Sequence, residues 1–162
     1  MNPRNGGGNP IRLLLHVPVP WVYVLSYFIG VGIERVWPSR NFLAIVLSIG
    51  AVSGFVFAMG VGIAGWGWLI FRMRRTTTVP GRESSTLVTW GPYRFTRNPM
   101  YVGLALAYLG EAGMWRQAWP IAVLPFTLAY VNCFVIPLEE ARLHEVFGEG
   151  YEQYRERVRR WI

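Results

Sequence analysis

The sequence predicts an all-α integral membrane helical bundle, with about four transmembrane helices followed by cytoplasmic amphipathic helices at the C-terminal end. Three observations carry this. Hydrophobic residues make up 52% of the 162 and charged residues only 15%, well under the roughly 25% of soluble domains, and the mean hydropathy is +0.28. The charges fall between uncharged runs long enough to approach or cross a hydrocarbon core of about 30 Å. Those charges are also distributed unequally between the two sides that such runs define.

Each element follows in order. Residues 1–10, MNPRNGGGNP, offer no apolar pattern to bury, so a disordered or interfacial N-terminus is expected over 1–16. It lacks a short apolar core followed by a small-residue cleavage site, so no cleaved leader is expected. A single membrane domain then fills 17–162. Its first span covers 17–36, with Pro18 and Pro20 at the start, where a missing N–H is tolerated. Trp21 and Tyr23 stand there as interfacial anchors.

The second span, 42–71, is the longest uncharged run, and as a straight helix it exceeds the hydrocarbon thickness. It must tilt, bend or protrude. Six glycines interrupt it, and Gly50 with Gly54 forms a small-xxx-small pair suited to close helix approach. Arg72, Arg74 and Arg75 are the expected stop, before a polar loop with a turn at Pro80-Gly81.

The third span, 99–114, has a clear start: Asn98 as N-cap and Pro99 at the first helical position. Glu111 falls in its last turns, where it can simply surface on the far side. The fourth covers 118–138. Pro137 near its end is expected to kink or break it, so that Glu139-Glu140 opens a new helical direction. A helix over 139–147 should end at Gly148 and Gly150. Residues 151–161 read as another, with Tyr151, Tyr154, Val158 and Trp161 on one face. Arg155, Arg157, Arg159 and Arg160 lie mostly on the opposite face, giving a basic amphipathic helix at a membrane surface.

Four spans place both termini on one side. Thirteen of the sixteen basic residues, all arginine, then lie on that side and three, Arg35, Arg40 and Arg116, on the other. The positive-inside rule makes the arginine-rich side cytoplasmic. It holds both the stretch 91–103, GPYRFTRNPMYVG, and the Glu139–Glu140 pair with the C-terminal segment, so one site can use both.

The net charge of +7 therefore reflects membrane topology rather than nucleic-acid binding, and no nucleic-acid partner is expected. The lone Cys133, in an apolar run, offers no internal disulfide, and His16 and His144 show no paired ligand spacing, so no metal is expected. No Ser-His-Asp or phosphate-loop pattern appears, and His144 is the one histidine placed to act as a base.

Two stretches carry the candidate chemistry. A helix starting at Asn98-Pro99 points N–H groups and a positive dipole end at the preceding loop, beside Arg94 and Arg97. That arrangement suits a carboxylate or phosphate; equally, Asn98 only caps the helix and the arginines anchor it to headgroups. Glu139 and Glu140 suit a cationic amine or a sugar hydroxyl; equally, they only stabilise a helix N-terminus. Cations and acids on one face together suit a zwitterionic, amino-acid-like ligand. Tyr93, Tyr101, Tyr151 and Tyr154 either stack on or hydrogen-bond such a ligand, or serve as interfacial anchors.

The stretch GPYRFTRNPMYVG, a short apolar hairpin and then PLEEARLHEVFGEGYEQYRERVRRWI resemble the isoprenylcysteine carboxyl methyltransferase and phospholipid methyltransferase group of integral membrane enzymes. The resemblance runs from residue 77 to 162. It rests on Arg97, Pro99, Tyr101 and Gly103, on the acid pair, and on Phe147, Gly148, Tyr151 and Tyr154. It implies S-adenosyl-L-methionine as cofactor and a lipophilic or lipid-like methyl acceptor (a carboxylate, amine or thiol) reached from the bilayer. It implies a small bacterial-type enzyme of the inner membrane, with the site cytoplasmic.

Carried over residue by residue, Arg97, Asn98, Pro99, Met100 and Tyr101 hold the cofactor's amino-acid end, with Arg94 and Gly103 in the same stretch. Glu139 and Glu140 hold its amine and ribose region or face the substrate, and Tyr151 and Tyr154 close over it. Glu140, Arg97 and Asn98 are the expected catalytic set. The family often has His where this chain has Asn98; Asn still hydrogen-bonds a carboxylate, but a proton-accepting role there is lost. Two alternatives from other classes stand beside this: a nicotinamide-dependent membrane reductase related to sterol reductases, and a non-catalytic membrane scaffold.

Overall fold

The computed structural model describes residues 18–39, 50–75 and 87–162. The expected N-terminal tail, the beginning of the second span and most of the polar loop before residue 87 lie outside them. The described residues form α1 (Val19–Val36), α2 (Gly50–Arg75), a 3-10 turn (Gly91–Arg94), α3 (Pro99–Met114), α4 (Ala118–Tyr130), α5 (Ile136–Phe147) and α6 (Glu149–Arg157). A π-turn over Val131–Val135 joins α4 to α5. Among the described residues there is no strand, and the protein is an all-α membrane bundle.

Three stretches are long and apolar enough to cross a membrane: Val19–Val36, Val52–Ile70 and Ala118–Phe147. At 16 residues α3 is shorter, about 24 Å, but it packs along α2 over the same depth. The two run antiparallel. Gly110 lies on Phe57, Gly60 on Gly103 and Ala107, Gly103 on Ala64, and Gly67 on Met100. Lipid tails are as apolar as leucine, so helices in a bilayer gain mainly from close packing, which small residues permit. A side chain on Gly60, Gly103 or Gly110 would strike the facing backbone. Gly54, the other member of the expected pair, has nothing within 4 Å of its Cβ position among the described residues. Nor do the glycines break α2, which continues through the stop arginines to Arg75, with Arg72 lying 5.0 Å over the Trp68 ring.

The other seam joins α1 to α4. The N-cap residue of α4, Gln117, makes no side-chain cap. Instead Glu34 on α1 supplies one: its Oε2 accepts from the Ala118 and Trp119 N–H groups, each at 3.1 Å. Its Oε1 accepts from the Ser39 N–H and hydroxyl at 2.8 and 2.7 Å. A carboxylate at a helix N-terminus satisfies orphan donors and opposes the positive dipole end. Tyr27 donates to Gln117 at 3.0 Å and meets Tyr108 of α3 edge-on at 5.0 Å. Tyr23, Tyr101, Tyr108, Leu124, Val131 and Ile136 form the buried core. These contacts give an up-down-up-down arrangement, with the loop before α3 and the segments α5 and α6 at one end.

Pro137 does not break the fourth helix. Proline removes one N–H and crowds the preceding turn, and here the helix widens ahead of it instead. The Ile136 N–H reaches back five residues to the Val131 carbonyl, and Pro137 falls in the first turn of α5. Gly148, at φ +51°, ends α5 and leads into α6. Gly150 terminates nothing; it lies inside α6. The helix expected to run to Trp161 stops at Arg157. Val158 is extended, and residues 158–162 form a strap that turns back across the loop before α3.

Candidate active site

The strap defines the site. The Arg159 carbonyl accepts from the Arg97 N–H at 2.9 Å. The Arg160 carbonyl accepts from Thr96 Oγ1 and from Asn98 Nδ2, each at 3.0 Å. Asn98 occupies the N-cap position of α3, but its side chain makes no capping bond; the strap has taken its amide. Thr96 Oγ1 accepts from the Asn98 N–H at 3.1 Å, and Pro99 is buried at the first helical position.

Three ionic side chains meet under the strap. Arg160 grips Glu140 at two points, Nη2 to Oε2 at 2.6 Å and Nε to Oε1 at 3.2 Å. Arg97 Nη1 lies 3.1 Å from Glu140 Oε1 and 3.4 Å from the Tyr151 hydroxyl. The side chains of Arg97 and Glu140 are only 12% and 16% exposed, so their charges depend on each other. Two guanidiniums against one carboxylate leave the cluster cationic. Arg97 Nε is buried and bonds to no group among the described residues. Donating to Glu140 raises the Arg160 pKa further above its ordinary value.

The acid pair is divided between two networks. Glu140 faces the arginines. Glu139, its neighbour in sequence and about 100° around the helix, accepts from the Tyr101 hydroxyl at 2.6 Å through Oε1, while Tyr23 donates to the Tyr101 carbonyl. Tyr154 is buried and donates to the Tyr93 carbonyl at 2.8 Å. Burial, and then nearby Glu139, raises the Tyr93 pKa. Burial, and then nearby Glu140, raises that of Tyr151, and burial chiefly raises that of Tyr154. All three hydroxyls are therefore protonated at neutral pH.

Arg97, Asn98, Tyr101, Glu139, Glu140, Tyr151 and Tyr154 thus come together. The others turn elsewhere. Pro99 and Met100 pack toward Gly67, and Gly103 lies in the α2–α3 seam. Arg94 is exposed on a cleft of about 440 Å³ shared with Tyr154, Gln153 and Arg157. His144 Nδ1 sits 2.9 Å from Glu152 Oε1, tying α5 to α6 on the surface. Sequence reading missed Arg160, Trp161 and Asn132. Trp161 Nε1 donates to Asn132 Oδ1 at 3.0 Å, and both residues border a second cleft of about 370 Å³ against Leu128 and Ala129. Helical periodicity assigns Arg160 to the outward face, and the end of α6 at Arg157 is what frees it from that phase.

Arg97, Glu140 and Arg160 thus form a partly buried cationic cluster, with Glu139 held apart on the Tyr101 network. The fission yeast Schizosaccharomyces pombe protein-S-isoprenylcysteine O-methyltransferase is 39% identical over 74 residues, which are 44% of this chain and 30% of that one. The cobalt-zinc-cadmium resistance protein CzcN of Cupriavidus metallidurans is 38% identical over 77 residues, 48% of this chain and 36% of its own. Protein-S-isoprenylcysteine O-methyltransferase A of Arabidopsis thaliana is 25% identical over 138 residues, 84% and 65% of the two chains. The chain thus spans well under half the length of the first two of these and just under two thirds of the third. No solved structure matches it significantly. Residues 51–150 match the phospholipid methyltransferase family, a segment that includes both halves of the seam, Arg97 and the acid pair. On that match the chain belongs to the phospholipid methyltransferase family.

Proposed function

We propose that this protein transfers a methyl group from S-adenosyl-L-methionine to a lipophilic, membrane-embedded acceptor at the cytoplasmic end of the bundle. The observation that carries this is the buried Arg97 Nε, a donor with no partner among the described residues, in a cationic cluster. Leaving such a group unsatisfied is costly, and a carboxylate oxygen would satisfy it. Glu139, which meets Tyr101 through Oε1, supplies the complementary charge for an ammonium. The donor set thus fits the amino-acid end of the cofactor. Family membership supports methyl transfer over nicotinamide reduction or a scaffold role.

When bound, S-adenosyl-L-methionine supplies an electrophilic methyl group on a sulfonium that departs as a neutral thioether. The protein's task is then positioning more than proton transfer. Arg97 orients the carboxylate end, Glu139, held by Tyr101, orients the ammonium end, and Tyr151 restrains Arg97. Glu140 is paired to two arginines, His144 lies apart on Glu152, and Glu139, held by Tyr101, is assigned to the ammonium, so this reading leaves no base for the acceptor among the described residues. An acceptor that is already nucleophilic at neutral pH suits this site, a carboxylate above all. It would approach from the bilayer, and the polar cofactor from the aqueous side.

The test is calorimetric titration of the purified protein in detergent with S-adenosyl-L-methionine and S-adenosylhomocysteine, where saturable binding is expected. Incubation with radiolabelled donor and a total lipid extract should then give a labelled lipophilic product. Absence of binding to either ligand would overturn the proposal.

A further inference from the structure

Arg160 lies beyond the matched family segment and outside the residues that sequence reasoning assigned to the site. Yet it touches the cluster from two sides. Its carbonyl holds Thr96 and Asn98, the neighbours of Arg97, while the adjoining Arg159 carbonyl holds the Arg97 N–H. Its guanidinium occupies both oxygens of Glu140 and also reaches Asn132 Oδ1 at 3.4 Å.

The occupation of both oxygens matters for Arg97. A guanidinium beside a free carboxylate turns to meet it fork to fork, because two parallel charge-assisted bonds are stronger than one. Arg97 does not: it offers Glu140 only Nη1, and its Nε stays buried and unengaged among the described residues. Arg160 already takes a lone pair on each oxygen that a two-point grip by Arg97 would use, in fork geometry that Arg97 cannot share.

Resting on the methyl-donor reading above, we propose that Arg160 is a positioning residue. By engaging both oxygens of Glu140 it competes with Arg97 for a two-point ion pair, and so favours keeping Arg97 Nε for the donor's carboxylate. Arg160 acts through Glu140 and Arg97 and need not touch the donor.

The experiment compares two ligands that undergo no chemistry: S-adenosylhomocysteine and its analogue lacking the carboxylate. Calorimetry is done on the full chain in detergent, with thermal unfolding of each variant as the measure of folding. The native protein should prefer the carboxylated ligand by about tenfold or more, the scale of one charged hydrogen bond. Arg160→Gln, which keeps the backbone bonds of the strap, should reduce that preference to about twofold while leaving affinity for the decarboxylated ligand unchanged. Arg160→Lys, which restores the charge without the fork, should fall between. Retention of the full preference in Arg160→Gln overturns the inference alone. So does equal loss of both ligands, which marks a purely structural residue; a native protein that binds both equally overturns the inference together with the assignment of Arg97 to the donor's carboxylate. A native protein that binds neither overturns the donor reading as well.

Discussion

The α2–α3 seam and the cluster under the strap are built on opposite principles. The seam is nearly all backbone against backbone: Gly60, Gly103 and Gly110 contribute by having no side chain. The cluster is made of side-chain heads: Arg97, Glu140 and Arg160 contribute charge. Both meet at α3, whose first turn carries the cluster's neighbours and whose remainder is the seam. In the seam an added atom should do harm; in the cluster a removed one should. The bundle therefore tolerates opposite kinds of change within one helix.

The largest effect should come from Gly60→Val. The clash is with the backbone of α3, which no rotamer change relieves, so the cost should exceed the ~1–3 kcal/mol of ordinary overpacking and remove the folded bundle. Thermal unfolding in detergent should show loss of the cooperative transition, and a Gly60→Val variant as stable as the native protein would break the seam account. Next is Glu140→Ala, which leaves two guanidiniums, one of them buried, facing each other. Truncating one partner of a largely buried charge pair costs about 2–5 kcal/mol, which should appear as lost thermal stability, and Arg97 loses the anchor that orients it, so donor binding should weaken as well. An unchanged affinity would show that the cluster is a staple only.

Smaller is Tyr101→Phe, which removes the 2.6 Å bond to Glu139. Loss of about 1–2 kcal/mol should appear mainly in donor affinity, with the helix content of the protein retained by circular dichroism. Smaller again is the pH response. The pKa values of Tyr93, Tyr151 and Tyr154 are raised above the ordinary 10.0 in the folded protein. The neutral form is therefore favoured by folding. That contribution is complete below pH 10 and is lost as pH rises through the raised values. Ultraviolet titration of tyrosinate should show these three ionising late, with stability falling as they do. At the bottom is Gly54→Ala. This position faces open space, so the change should stay within about 0.5 kcal/mol, and a large loss would mean that α2 has an unseen neighbour.

What the sequence disclosed divides along the same line. The apolar runs and the Pro99 start of α3 were legible, since they depend on composition and on one residue's own geometry. Which glycines touch was not. Gly54 and Gly60 look alike in sequence, and only the register of α2 against α3 selects between them. Glu34 read as the tail of a span, because its partners, the Ala118 and Trp119 N–H groups, are backbone and carry no sequence identity. The strap failed to show for the same reason. The repeat of Tyr151, Tyr154, Val158 and Trp161 fits a helix, but the carbonyls of Arg159 and Arg160 are worth more across the loop than along α6. The grouping of Arg97 with the acid pair and Tyr151 was legible from the arginine asymmetry; Arg160 was hidden by its helical phase.

The π-turn at Val131–Val135 has a rotational consequence. A π-turn is an α-helix with one residue inserted, and each residue advances the helix by about 100°. Everything after it, Glu139 and Glu140 included, is therefore dialled round relative to α4 by that amount. Excising one residue from the turn would wind the dial back by about one position. The carboxylate now presented to Tyr101 and the one presented to Arg160 could not then both keep their addresses. The assignment of one acid to each network is thus set upstream of both, by an irregularity in the path of the chain.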